Sequence, residues 1–133
     1  MHKINKGDIS KTYVAAKLME LEYDVLNLMT ENSRYDLAID VNGKMKRIQV
    51  KSVYMNNSKN KYELYFYSTQ PKKGKKKSLR YTKEEVDYII GYNQDTKKYY
   101  VFPISAVHER YSMVIDETNT ISQKYLDAFW LLQ

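Results

Sequence analysis

The stretch that decides the fold is Arg34 to Tyr54, RYDLAIDVNGKMKRIQVKSVY. Apolar and polar residues alternate on both sides of Asn42-Gly43. A tight hairpin turn needs positive φ at both central positions, and Asn-Gly meets that need at low steric cost. The spacing predicts two antiparallel strands, with Val41 and Lys44 as the pair flanking the turn. Counting back from that pair sets Asp36 opposite Gln49. Opposed side chains share a face, with Cβ atoms ~5 Å apart, and faces alternate along each strand. One face therefore carries Asp36, Ala38, Asp40, Arg47, Gln49 and Lys51. The other carries Leu37, Ile39, Val41, Ile48 and Val50, which is a core face. A carboxylate, an amide and an ammonium on rigid strands are the materials of a closely held site.

Composition sets the bounds around this hairpin. A chain of 133 residues is one domain, large enough for a single core. There is no Cys, which excludes a disulfide framework and a thiolate metal site. The opening MHKINKGDIS has no apolar run, which argues against a signal peptide. No stretch approaches the ~20 apolar residues of a membrane span, so an intracellular protein without a membrane partner is expected. The formal charge of +6 favours an anionic partner, with nucleic acid first. Much of that charge is local: Lys72, Lys73, Lys75, Lys76, Lys77 and Arg80 crowd one stretch. Such a run is either a solvated loop or a loop that contacts phosphates. The 14 Tyr suit half-buried strand positions, and some of them suit DNA sugars or bases.

Outside the hairpin, Gly7-Asp8-Ile9-Ser10 reads as a helix start, with Asp8 or Ser10 as cap. A helical period over Ile9, Tyr13, Val14, Leu18 and Leu21 places the helix at about 9–22. Residues 23–28 read as a first strand and 61–69 (KYELYFYST) as an aromatic one. The stretch 71–80 reads as a basic loop within the single domain. Thr82 and Glu85 fit a capping box. Residues 86–92 and 98–104 read as buried strands, 105–110 as a short helix or turn, and 111–115 as an edge strand. Residues 122–132 read as a closing helix docked by Tyr125, Phe129, Trp130 and Leu132.

The phrase Asp36 … Gln49-Val50-Lys51 resembles the core of the PD-(D/E)XK nuclease superfamily. That family sets an Asp on one strand, then an acid, any residue and a Lys on the next. Tyr35-Asp36-Leu37 with Arg47-Ile48-Gln49-Val50-Lys51 is similar to the branch in which Gln takes the second acidic place. Small phage and archaeal members and cyanobacterial homing endonucleases belong to that branch. A Gly ahead of the first helix, the phrase Tyr81-x-x-x-x-Val86-Asp87-Tyr88 and the strand end Phe102-Pro103-Ile104 extend the likeness. The resemblance implies an α/β fold with a restriction-endonuclease-like core, that is, a central mixed sheet with an N-terminal and a C-terminal helix. The branch also has an acid four residues after its Gly. Counting from Gly7 lands on Lys11, which leaves Asp8 as the nearest acid, either metal-proximal or a helix cap.

Cutting a phosphodiester requires an activated water, charge neutralisation at phosphorus and an in-line leaving group. Mg²⁺ takes oxygen ligands and one or two protein carboxylates, and Mn²⁺ suits the same donors. The resemblance implies Asp36, Gln49 and the Val50 carbonyl as metal ligands, with Asp8 as a further candidate. It implies Asp36, Gln49 and Lys51 as the catalytic set, with Lys51 acting on the water and the transition-state charge. Arg47 and Ser52 flank that set as phosphate contacts. His2 and His108 have no ligand-spaced partner and read as surface residues. The leading expectation is a Mg²⁺-dependent DNA endonuclease, homing-type or junction-resolving, acting as a homodimer or dimer of dimers. A rival keeps the nuclease fold and binds nucleic acid without cutting, which Gln49 and the absent helix acid favour. A third reading is an adaptor that binds a protein partner through Tyr-rich strands.

Overall fold

The computed structural model of the chain describes residues 5–30, 33–72 and 75–133. The order begins α1 (Lys6–Glu20), β1 (Asp24–Asn27), β2 (Leu37–Val41), β3 (Lys44–Ser52), β4 (Tyr54–Asn56) and β5 (Lys61–Tyr65). It continues β6 (Tyr67–Lys72), β7 (Lys75–Arg80), β8 (Tyr88–Asn93), β9 (Lys98–Pro103), α2 (Ile104–Val107), β10 (Ser112–Ile115) and α3 (Thr120–Lys124). A 3-10 turn at Phe129–Leu132 closes the chain.

Five strands form the central sheet in the order β1-β2-β3-β8-β9. The β3–β8 pairing is parallel and the other pairings are antiparallel, so the sheet is mixed. The predicted hairpin register holds, with Val41 opposite Lys44 and Leu37 opposite Ile48. Asn42 and Gly43 have φ of 52° and 84°, as a twisted two-residue turn demands. The Gly43 N–H also donates to Asp40 Oδ1 at 2.8 Å.

One face of the central sheet presents Leu37, Ile39, Ile48, Val50, Ile90 and Val101 to Val14 and Leu18 of α1, and to Phe129 and Leu132. The opposite face brings Ile89, Tyr100 and Phe102 against Leu64, Phe66, Met113 and Ile115. Leu64, Met113 and Ile115 lie on a smaller sheet, ordered β10-β5-β4. The two sheets approach closely at Gly91. A Cβ there would lie 2.7 Å from Leu64 Cδ2.

Several boundaries differ from the sequence reading, each for a local reason. The α1 cap is Asn5, not Asp8 or Ser10: its side chain accepts the Asp8 N–H at 2.8 Å. Ser10 is buried instead, with its hydroxyl 2.6 Å from that of Ser52. Gln94 Nε2 donates to that Ser10 hydroxyl at 3.2 Å and to the Lys6 carbonyl at 3.0 Å. These bonds seat the first turns of α1 on the end of β3. The aromatic segment is two strands, divided at buried Phe66, whose N–H donates to the Tyr111 carbonyl at 2.8 Å. The basic stretch, expected as a loop, folds largely as the antiparallel β6–β7 hairpin, with Lys72 paired to Lys75 and Tyr67 to Arg80. Lys73 lies outside the described residues.

The C-terminal helix is present as α3 but ends at Lys124. Leu126 makes an antiparallel bridge to Tyr100, and Asp127 turns left-handed at φ 51°. Phe129 and Leu132 dock as expected, whereas Trp130 is 67% exposed. Among the described residues no helix is long and apolar enough to cross a membrane.

Gly91→Ala drives a methyl into Leu64 across the inter-sheet seam. Overpacking of this kind costs ~1–3 kcal/mol. The expected result is a lower urea midpoint with an unchanged m-value; a midpoint equal to that of the wild type would show that the seam relaxes freely.

Candidate active site

The site forms where β3 outruns β2. β2 ends its pairing at Leu37, opposite Ile48. Asp36 continues the contact in a different way: its N–H donates to the Ile48 carbonyl at 2.8 Å, and its Oδ2 accepts the Val50 N–H at 3.0 Å. The carboxylate therefore takes the place of a strand carbonyl. Gln49 Nε2 donates to the Val50 carbonyl at 3.2 Å, which draws the amide over the carbonyl expected as its fellow ligand.

Asp8 and Lys11 of α1 reach the same cleft, of about 480 Å³, which is lined by Asp36, Gln49 and Val50 among others. Since Asn5 is the cap, the Asp8 carboxylate is not consumed in capping. A second cleft of about 370 Å³ lies beyond a seam shared at Gly7 and Val50. Lys51 lines this second cleft with Tyr54, Tyr65 and Tyr67. The Lys51 Nζ donates to the Tyr67 carbonyl at 2.9 Å and stands 5.1 Å from the centroid of the buried Tyr81 ring.

Burial sets the electrostatics. It raises the Asp36 carboxyl above its ordinary value, against the Val50 N–H and the ammonium groups of Lys11 and Lys51; Asp8 adds to the rise. Burial likewise lowers the Lys51 ammonium, opposed by Asp36 and reinforced by Arg34. Tyr81 is pushed up to about 12, again chiefly by burial, so its phenol stays protonated. Such opposed shifts in neighbouring groups mark chemical sites more often than ordinary surface.

The donors suit a hard divalent cation: the Asp36 carboxylate, the Gln49 amide, the Val50 carbonyl and Asp8 all offer oxygen. Among the described residues no cluster of three or more His, Cys, Asp or Glu occurs. Among the described residues, the carboxylates that line this cleft are those of Asp8 and Asp36.

Two expected phosphate contacts are committed elsewhere. The Arg47 guanidinium holds Asp87 at 3.1 Å and the Lys83 carbonyl at 3.0 Å, and the Arg47 backbone N–H donates to Asp87 Oδ2 at 2.7 Å. That arrangement locks β3 to the segment entering β8. Ser52 is buried, with its hydroxyl spent on Ser10 and the Lys6 carbonyl. Arg80 is exposed, donates to the Glu109 carbonyl at 3.0 Å and stacks 4.7 Å from the Tyr111 ring. Lys72, Lys75, Lys76 and Lys77 lie on the β6–β7 strands.

Sequence reasoning missed Arg34 and the part played by Tyr81. The only signal for Tyr81 was its place at the head of the Tyr81…Val86-Asp87-Tyr88 phrase. That phrase unites the ring beneath Lys51 with the partner of Arg47.

A family model for PD-(D/E)XK endonucleases matches residues 1–129. Among solved structures, that of the bacterial homing endonuclease I-Ssp6803I is similar at a TM-score of 0.86 and 23% identity. The match covers 96% of this chain and 90% of that one. No curated protein matches.

The raised Asp36 carboxyl carries a sign. The folded state binds its proton more tightly than the unfolded chain does. Its contribution is therefore complete below the ordinary carboxylate value, ~4, and is lost as pH rises through the folded value. Asp36→Asn keeps an acceptor for the Val50 N–H and removes the buried charge. In metal-free buffer it should melt above wild type at neutral pH, and the gap should close toward pH ~4. A constant gap across that range would contradict the assignment.

Proposed function

The chain belongs to the PD-(D/E)XK endonuclease family, and from that premise we propose that it is a divalent-metal-dependent DNA endonuclease of the homing type. The observation that carries this reading is the convergence of Asp36, Gln49 and Val50 in one cleft, with Lys51 across the seam. The similar structure is that of a homing endonuclease, and the likeness runs nearly end to end, which supports the homing type over junction resolution.

Asp36, Gln49 and the Val50 carbonyl would hold Mg²⁺ or Mn²⁺, with Asp8 beside them. When bound, the cation supplies charge neutralisation at the phosphate and favours ionisation of water. The protein's own part is positional. Asp36 is fixed by the Val50 N–H, so its carboxylate is oriented before substrate arrives. The Lys51 ammonium orients the attacking water and balances charge that develops on the phosphoryl oxygens. The basic β6–β7 hairpin and Arg80 offer phosphate contacts outside the cleft. One such site per chain cuts one strand, so a duplex break calls for a homodimer or a dimer of dimers.

Gln49 and Lys11 favour a second reading, a DNA-binding protein with the same fold and no chemistry. Each stands where the family pattern has an acid.

The two readings separate in a nicking assay on supercoiled plasmid, a genomic library and a four-way junction, with Mg²⁺, Mn²⁺ or EDTA. Metal-dependent cutting is expected, and Asp36→Ala and Lys51→Ala should each reduce it about 100-fold or more. Both variants should bind DNA in Ca²⁺ as wild type does. DNA binding without nicking on any substrate would overturn the enzyme reading and leave the second one standing.

A further inference from the structure

Arg34 opens the stretch that decides the fold, and nothing in the chemistry above uses it. Its guanidinium is nevertheless heavily committed, and its side chain is only 17% exposed. Nε donates to Glu85 Oε2 at 2.9 Å, and Nη1 donates to the Ser68 hydroxyl. Nη2 donates to the Leu79 and Arg80 carbonyls at 3.1 and 3.0 Å. The guanidinium carbon lies 4.2 Å from the Tyr81 ring centroid. One planar group thus joins the start of β6, the end of β7 and the turn that follows. A lysine could not reproduce this, because its donors radiate from a single point and do not stack as a plane.

The groups that Arg34 holds are chain neighbours of those that locate Lys51. Ser68 follows Tyr67, whose carbonyl accepts from the Lys51 Nζ. Arg80 precedes Tyr81, whose ring lies 5.1 Å from that Nζ. Two cations therefore address one aromatic ring, an arrangement that attracts each of them to the π face, and Glu85 neutralises the outer one. We propose that Arg34 is the positioning residue for Lys51, holding the Tyr67 carbonyl and the Tyr81 ring that fix the ammonium at the site. The same clamp closes the base of the β6–β7 hairpin, so the basic strands and Lys51 are joined by one side chain. The catalytic consequence rests on the endonuclease reading; the geometric claim does not.

Two arms test it. In the first, Arg34→Lys should lower kcat ten- to a hundredfold, the scale of a small misplacement of a reacting group, with DNA Kd in Ca²⁺ within about twofold. Placed on Lys51→Ala, it should cause no further loss. In the second arm, acylation of Lys51 by an N-hydroxysuccinimide ester is followed by peptide mass spectrometry. The rate should rise several-fold in Arg34→Lys, and less in Glu85→Gln, a milder variant that keeps the fold. Unchanged acylation in both folded variants, or a loss that adds in full to Lys51→Ala, would overturn the proposal. A wild type that cuts nothing would sink the endonuclease reading alone, because the acylation arm still decides the role of Arg34.

Discussion

The Val50 N–H is the constraint on which the site depends. β3 runs past the end of β2, and a largely buried backbone donor left without an acceptor costs about as much as a lost hydrogen bond. The Asp36 carboxylate meets that need at 3.0 Å. A side chain thereby completes a backbone ladder, and the requirement for pairing orients the carboxylate. The other edge of β3 is paired in parallel with β8 from Ile48 to Ser52, so the stretch from Gln49 to Lys51 is held by β8 along one edge and by Asp36 at Val50 on the other. The cost is electrostatic: the Asp36 carboxylate and the Lys51 ammonium are both drawn out of water, near enough to act on each other, and both are displaced from their ordinary ionisation.

Among the described residues, the charge in the cleft is balanced between acids and a base. Asp36 and Asp8 face Lys11 in the same cleft, and Gln49 brings an amide in place of a carboxylate. Mg²⁺ keeps much of its water and needs few protein ligands, so oxygen donors with little net negative charge match its habits. They do not match those of a tightly caged ion.

Much of this was legible in the chain, because the most informative segment folds by local rules. Asn42-Gly43 set the turn and the register, and the alternation around it set the core face. What escaped was decided at longer range. Ser10 and Ser52 pair across 42 residues, which turns an apparent helix cap and an apparent phosphate contact into a buried polar joint. Its face of the strand sets Arg47 beside the site, but Asp87, 40 residues on, holds its guanidinium. The lysine run looked too polar to fold, yet the strands on either side carry pairing into it. At the C-terminus the pattern of large apolar residues suggested one helix. The bridge from Leu126 to Tyr100 and the left-handed Asp127 break it, and Trp130 is turned outward.

The parallel partner of β3 has a consequence for the order in which the protein assembles. A parallel pair cannot close through a tight turn and needs a long crossover; here the crossover spans β4 through β7. Loop-closure entropy must be met before such a contact contributes anything. During synthesis, domains fold as their segments emerge, and the strand bearing Gln49 and Lys51 keeps an open edge until Asn93 has left the ribosome. The hairpin closes through a local turn, but the candidate site is complete only once β8 is in place, and a truncated chain that ends before β8 lacks the edge that holds β3.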